Sequence, residues 1–217
     1  AYDEGFYKDL VVPFEGVEKD NIIRHDSTIQ KLASLKTVFD KGVNATLTPG
    51  NSTSLTDGSA AVLLASDEWA NKNNLDIESY ITSFEIAAVN YIDNEGLLMA
   101  PAYAVSEMLK KQNLNLQDFD FYEIHEAFAA QTLATINAWK SEEFCKSKLG
   151  REKVMGSFDH NKLNVKGGSL AIGHPFAATG ARIVATLSKL LKDNGGGKGL
   201  ISICTAGGMG ITAILER

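Results

Sequence analysis

Apolar positions along the chain follow two alternating rhythms. Tyr80–Val89 (YITSFEIAAV) is rich in β-branched and aromatic residues and predicts a strand, as do Phe119–Ile124, Gly199–Cys204 and Ile211–Glu216. Between them, Ala100–Lys111, Glu126–Lys140 and Thr179–Leu191 repeat their apolar residues at helical spacing. Pro101 falls in the first turn of the first of these, where a missing N–H costs little. Ser59–Ala65 (SAAVLLA) is a nearly continuous apolar run that suits a buried strand, and Ser66-Asp67 then cap a helix through about Asn73. Upstream the pattern is irregular: Val11–Phe14 suggests a short strand, and Ser27–Asp40 predicts a helix through Ile29, Leu32, Leu35, Val38 and Phe39. The polar stretch Ser141–Asn161 interrupts the alternation and predicts a surface helix plus loop. Strands alternating with helices give an α/β class, a sheet covered by helices.

Composition narrows the function classes. A chain of 217 residues, 44% hydrophobic and 22% charged, is that of a globular protein with room for one large domain or two small ones. No run of about 18 apolar residues is present, so no membrane-spanning helix is expected. A net charge of −6 without a Lys/Arg cluster argues against nucleic acid and anionic membrane surfaces as partners. Two cysteines, Cys145 and Cys204, make no disulfide framework and suggest a reducing compartment. The start at Ala1, with neither Met nor a basic-then-apolar leader, is expected of a processed chain or a fragment.

Glycine is unevenly spread. Eleven of the 19 glycines lie between Gly167 and Gly210, whereas residues 59–149 hold only Gly96. Glycine gathers where backbone takes positive φ or must approach a ligand closely. Four segments near element ends carry candidate chemistry. Gly50–Gly58 (GNSTSLTDG) is a hydroxyl-rich loop, explicable by turn chemistry or by contact with a polar ligand. His125-Glu126-Ala127-Phe128 follows a strand, where open α/β sheets bind ligands, although a helix start equally accommodates both residues. His174 is locked between Gly173 and Pro175, which pre-orients an imidazole for general-base or oxyanion work. Cys204 ends a strand and enters the turn Thr205-Ala206-Gly207-Gly208, beside bare backbone amides. No Cys or His pair has metal-ligand spacing.

Together GHPFAATGAR and CTAGGMG resemble the two C-terminal signatures of thiolases. HEAFAAQ resembles the family's Asn-Glu-Ala-Phe-Ala signature, and GNSTSLTDGSAAV the loop and strand before its second half. With RHDSTIQKLASL, the resemblance runs from about Arg24 to Arg217. His125 in place of the usual Asn, the insertion SEEFCKSKLGREKVMGSFDHN and the continuation Pro-Phe-Ala-Ala are similar to the trifunctional-enzyme β type of fatty-acid β-oxidation. The resemblance implies a thiolase-like layered fold, helices sandwiching a mixed five-stranded sheet, with residues 1–56 as the tail of a loop domain. Residues 57–74 would be the last strand and helix of the N-terminal domain, and residues 75–217 the C-terminal domain.

The activity implied is cleavage of 3-ketoacyl-CoA by CoA to acetyl-CoA and a shortened acyl-CoA. His174 would act as the base towards a nucleophilic cysteine and contribute to one oxyanion hole, where His125 would hold a water or donate directly, and Cys204 would be the second acid/base. The backbone N–H of Ala206 would serve a second hole, Thr53 would contact the pantetheine arm of CoA, and Leu97 would lie near the acyl pocket. CoA and acyl-CoA enter as substrates, with no covalently bound cofactor. Implied partners are an N-terminal thiolase half, a second or further copies in a dimer or tetramer, and the α subunit of a β-oxidation complex. The compartment implied is cytoplasm in a bacterium or mitochondrion in a eukaryote. The family's nucleophilic cysteine has no counterpart, since Cys145 falls in the insertion, so the chain alone is expected to be inactive. The alternatives are a biosynthetic acetoacetyl-CoA thiolase (acetyl-CoA acetyltransferase) and a non-catalytic module that binds acyl-CoA or dimerises.

Overall fold

The computed structural model describes residues 1–93 and 95–217. Its centre is a sheet of four strands: β1 (Tyr80–Ala88), β2 (Phe121–Ile124), β3 (Lys198–Thr205) and β4 (Met209–Glu216), in the order β1-β4-β3-β2. β4 runs antiparallel to both β1 and β3, whereas β2 lies parallel to β3. β3 and β4 form a hairpin through Ala206–Gly208, with Gly207 and Gly208 at φ +83° and +75°. A Cβ on Gly208 would stand 2.6 Å from the Val89 carbonyl oxygen, so this turn requires glycine twice over.

The fifth strand implied by the resemblance is reduced to one bridge. Leu163 pairs with Tyr122 in parallel, and the Asn164 N–H donates to the Tyr122 carbonyl at 2.8 Å. Asn164 then takes φ +46° and leaves the sheet, a conformation asparagine adopts more readily than most residues. Its carboxamide continues the ladder, accepting from the Ile124 N–H and donating to the Ile124 carbonyl, both at 2.9 Å. One side chain thus satisfies the edge groups that a further strand residue would have met.

Alternation along β3 and β4 sends successive residues to opposite faces. Leu200 and Ile214 join Tyr122 against α3 (Ala100–Gln112) and α4 (Ala129–Lys140), whose Met108, Leu109 and Trp139 are fully buried. Ile201 and Leu215 face the other way, onto Ile183, Leu187 and Leu191 of α7 (Thr179–Asp193), with Phe6 and Tyr7 closing that layer. Helices therefore cover both faces of the sheet. Gly210 lets α3 come close, since a Cβ there would lie 2.7 Å from the Pro101 nitrogen. Among the described residues, no helix is long and apolar enough to cross a membrane.

Five further sequence expectations change. Val11–Phe14 forms no strand, only a bridge of Phe14 to Val17. Ser59–Ala65 forms no strand: none of the four strands pairs with it, and Leu63 and Leu64 are exposed. An apolar run becomes a strand only when a neighbour takes its backbone hydrogen bonds. The helix after it does form, as α2 (Asp67–Lys72), where the Ser66 hydroxyl accepts from the Trp69 N–H. The helix expected over Ser27–Asp40 contracts to α1 (Ile29–Ala33), which buries none of its residues. Helices this short draw their stability from packing, and α1 has little. The helix expected from Glu126 begins at Ala129, because Phe128 is extended and bridges to Ser52. Finally, Ser141–Asn161 is more than a surface excursion. It contains α5 (Glu142–Ser147) and a short 3-10 turn, and it lends Cys145, Leu149, Met155 and Phe158 to the core, where Phe158 stacks on Tyr122 at 3.9 Å.

Candidate functional site

The parallel pair β2 and β3 brings two chain segments to one edge of the sheet. The His125 N–H donates to the Ser202 carbonyl at 2.9 Å, one step beyond β2, and Cys204 lies two residues further along β3. His125 is 1% exposed. His174 arrives from the opposite direction, in the loop between α6 (Ser169–Ile172) and α7. Gly173, at φ +86°, makes that loop possible, and a Cβ there would collide with Thr56 at 2.5 Å.

The Gly50–Gly58 loop fastens both histidine segments. Ser52 bridges Phe128, the Thr53 N–H donates to the Ala127 carbonyl at 3.0 Å, and the His174 N–H donates to the Ser54 carbonyl at 2.8 Å. The result places the His125 and His174 rings 4.3 Å apart, tilted by 48°.

The hydrogen bonds around His174 define its chemistry. The Thr179 hydroxyl donates to the Pro175 carbonyl at 3.3 Å, which leaves its oxygen to accept from His174 Nδ1 at 2.6 Å. The arrangement that satisfies both contacts puts the His174 proton on Nδ1 and leaves Nε2 its lone pair. Burial first, and Arg182 second, hold the His174 pKa below the usual histidine value. At neutral pH it is a free base.

His125 is held down further, to about 3, by burial above all and then by His174 and Arg182. It too is neutral. Burial pushes the Cys204 thiol up to about 11, opposed by backbone N–H groups of Cys204 and Ala127. It keeps its proton and can give it only to a strong base. An uncharged base and a protonated thiol on adjoining segments are the pair that proton transfer in both directions requires.

The other sequence candidates are placed as follows. Ala206 is the first residue of the β3–β4 turn, exposed and without positive φ, so alanine is unstrained there. Thr53 sits under the His125 segment and donates from its hydroxyl to the Ser169 carbonyl at 2.6 Å. Leu97 lies in the loop before α3, on a separate element from the histidines, and is 45% exposed. Cys145 stays away from the site, buried in α5 with its thiol near the Ala138 and Trp139 carbonyls. A cavity of about 310 Å³ opens on His174, walled by Leu55, Thr56, Asp57, Pro175 and Phe176.

Sequence reasoning missed four side chains at this centre. Ser169, Thr179 and Arg182 lie within or beside the His174 motif and were legible only as polar residues at the ends of helices. Glu123 had a clearer signal, a charge in the apolar strand Phe-Tyr-Glu-Ile. It is buried with Oε1 unpartnered, and burial pushes its carboxyl up to about 8 against the pull of Arg182.

Comparison with known proteins gives the same direction. The family model described as "Thiolase, C-terminal domain" matches residues 75–217, and "Thiolase, N-terminal domain" matches residues 1–68. A 3-ketoacyl-CoA thiolase of Shewanella loihica is 42% identical over 222 residues, covering all of this chain and 50% of its own length. A 3-ketoacyl-CoA thiolase of Aeromonas salmonicida is 45% identical over 207 residues, 95% of this chain and 47% of its own length. Among solved structures, the dimeric peroxisomal thiolase of Saccharomyces cerevisiae superposes with a TM-score of 0.81 at 35% identity, over 99% of this chain and 50% of that one. Human mitochondrial 3-ketoacyl-CoA thiolase in complex with CoA gives a TM-score of 0.80 at 32% identity, over 100% and 50% respectively. The chain spans about half the length of the curated relatives it matches.

Proposed function

The chain belongs to the thiolase family, and from that premise we propose that it supplies the acid–base half of a 3-ketoacyl-CoA thiolase. The supporting observation is the neutral His125–His174 pair, 4.3 Å apart, beside a thiol that burial keeps protonated. His174 Nε2 takes the proton of a cysteine thiol contributed by an N-terminal thiolase half. The resulting thiolate attacks the 3-keto carbon of the substrate. The bond between carbons 2 and 3 then breaks, and its electron pair leaves on acetyl-CoA as an enolate. Cys204 gives its proton to that carbon, releasing acetyl-CoA and leaving the shortened acyl group as a thioester. The Cys204 thiolate next takes the proton of an incoming CoA thiol, whose sulfur attacks the thioester; the bond to the first cysteine breaks, that thiolate recovers its proton from His174, and the shortened acyl-CoA is freed. Charge builds on oxygen twice, and the His125 side chain and the Ala206 N–H are the donors assigned to it. Thr53 and Leu97 are assigned to the pantetheine arm and the acyl chain.

The names of the relatives favour degradation over acetoacetyl-CoA synthesis. His125 and the Ser141–Asn161 insertion favour the trifunctional-enzyme β type, with an α subunit as partner. The test combines the chain with an N-terminal thiolase half bearing a reactive cysteine. CoA-dependent cleavage of 3-ketoacyl-CoA is expected from the combination, and no thioester on the chain alone. A thioester on Cys145 or Cys204 of the isolated chain would contradict this assignment, and so would an inactive but correctly assembled pair.

In the assembled enzyme, His125→Ala is expected to lower kcat by about 10²-fold, the size of effect seen when one oxyanion donor is removed. Circular dichroism should show the fold retained. An unchanged kcat would remove His125 from the oxyanion hole.

A further inference from the structure

Resting on the reading that the two histidines form the reacting site, we propose that Ser169, oriented by Arg182, is a positioning residue that keeps the ring proton of His125 on Nε2. The hydrogen-bond inventory of one buried hydroxyl carries this. Ser169 Oγ lies 2.7 Å from His125 Nδ1 and 2.8 Å from Arg182 Nη2. A guanidinium can only donate, so Arg182 occupies a lone pair of the serine oxygen. The serine has a single proton to place, and Ser169 is 1% exposed, closed off from bulk solvent. Among the described residues, His125 Nδ1 is the acceptor in reach. Were the proton on Nδ1 instead, two donors would face the oxygen and the serine proton would be buried without a partner, which costs free energy. Serine therefore donates to Nδ1, and the neutral ring carries its hydrogen on Nε2.

The neighbouring ring is set the opposite way. Thr179 spends its proton on the Pro175 carbonyl and so can only accept from His174, which frees Nε2 of that ring as the base. Two hydroxyls, differing only in where their own protons go, give two adjacent imidazoles opposite polarity at Nε2. One accepts a proton and the other presents a hydrogen-bond donor, as the base and oxyanion roles separately demand. Arg182 belongs to this device through more than charge. It also fixes which serine lone pair is used, from a position on α7 three residues beyond Thr179.

The test reads the ring nitrogens of His125 by 15N–1H correlation spectroscopy on the 217-residue chain, assigned by comparison with His125→Gln. In the unmodified chain, Nε2 of His125 is expected to carry the proton and Nδ1 to show the shift of a bare acceptor. Ser169→Asp places a group that only accepts beside Nδ1, and Nδ1 should become protonated. Ser169→Thr, which keeps the hydroxyl, should preserve the original pattern. A protonated Nδ1 in the unmodified chain overturns the proposal without any variant. So does a folded Ser169→Asp chain whose Nδ1 stays bare. These readings need no turnover, so loss of the thiolase assignment and loss of the tautomer assignment are separate results. In the assembled enzyme, Ser169→Ala should lower kcat about tenfold with KM unchanged, and Ser169→Thr should restore it. An equal fall in both variants would mark a purely structural role.

Discussion

Replacing His174 by alanine in the assembled enzyme is expected to lower kcat by about 10³-fold, within the range that a positioned general base contributes. The expectation follows from how the ring is held. Thr179 fixes Nδ1 at 2.6 Å, the Ser54 carbonyl fixes the backbone, and burial with Arg182 keeps the imidazole neutral. His174→Asn can still donate to Thr179 but offers no basic nitrogen, so it should be nearly as slow. The loss should appear in acyl-enzyme formation, measured by rapid quench with 3-ketoacyl-CoA before CoA is added. A normal acylation burst in His174→Ala would show that another group takes the cysteine proton. The sign of the pH effect is also fixed. Because the His174 pKa is lowered, the base is protonated and activity is lost only below the usual histidine range.

A second effect of similar size is expected at Cys204, where Cys204→Ala should slow exchange of the acetyl-CoA α-protons with solvent by about 10³-fold. That exchange isolates one step, because it requires removal and return of a carbon-bound proton without the first cysteine or any 3-ketoacyl substrate. The buried thiol, pushed up to about 11, is a reluctant acid, which suits a partner as basic as an enolate carbon. Cys204→Ser holds its proton more tightly still and should exchange slowly rather than recover. Exchange at the unmodified rate in Cys204→Ala would remove this thiol from the proton-transfer step.

The sheet and its principal helices were legible because their patterns satisfy themselves. Tyr80–Ala88, Ala100–Gln112 and Thr179–Asp193 depart from the expected bounds by no more than two residues at either end. Each finds its partners within this chain. Ser59–Ala65 shows the opposite case. Its apolar run reads as a strand, but strand formation depends on a pairing partner that composition does not contain. The expected fifth strand shrinks to a bridge for a finer reason, since nothing in Leu163-Asn164-Val165 announces that a carboxamide will finish the ladder. At the site, His125, His174 and Cys204 stood out because Gly, Pro and strand ends surround them. Ser169 and Arg182 did not. Their roles lie in the direction of a single hydroxyl proton, and that direction exists only once three side chains from separate elements converge.

The loop from Ser52 to Leu55 touches both histidine segments, through Phe128 and Ala127 on one side and His174 on the other. It has no regular structure of its own, and such segments open at lower free energy than the sheet beneath them. When it lifts, His174 loses its backbone anchor in the same event that uncovers Ala127 and Phe128, whereas the His125 N–H stays on the Ser202 carbonyl of the sheet. Amide exchange at Thr53 and His174 should then share a single opening rate, faster than that of Ile201 in the sheet. The base thus rides on the part of the molecule that opens first, while the ring assigned to the oxyanion stays seated on the sheet.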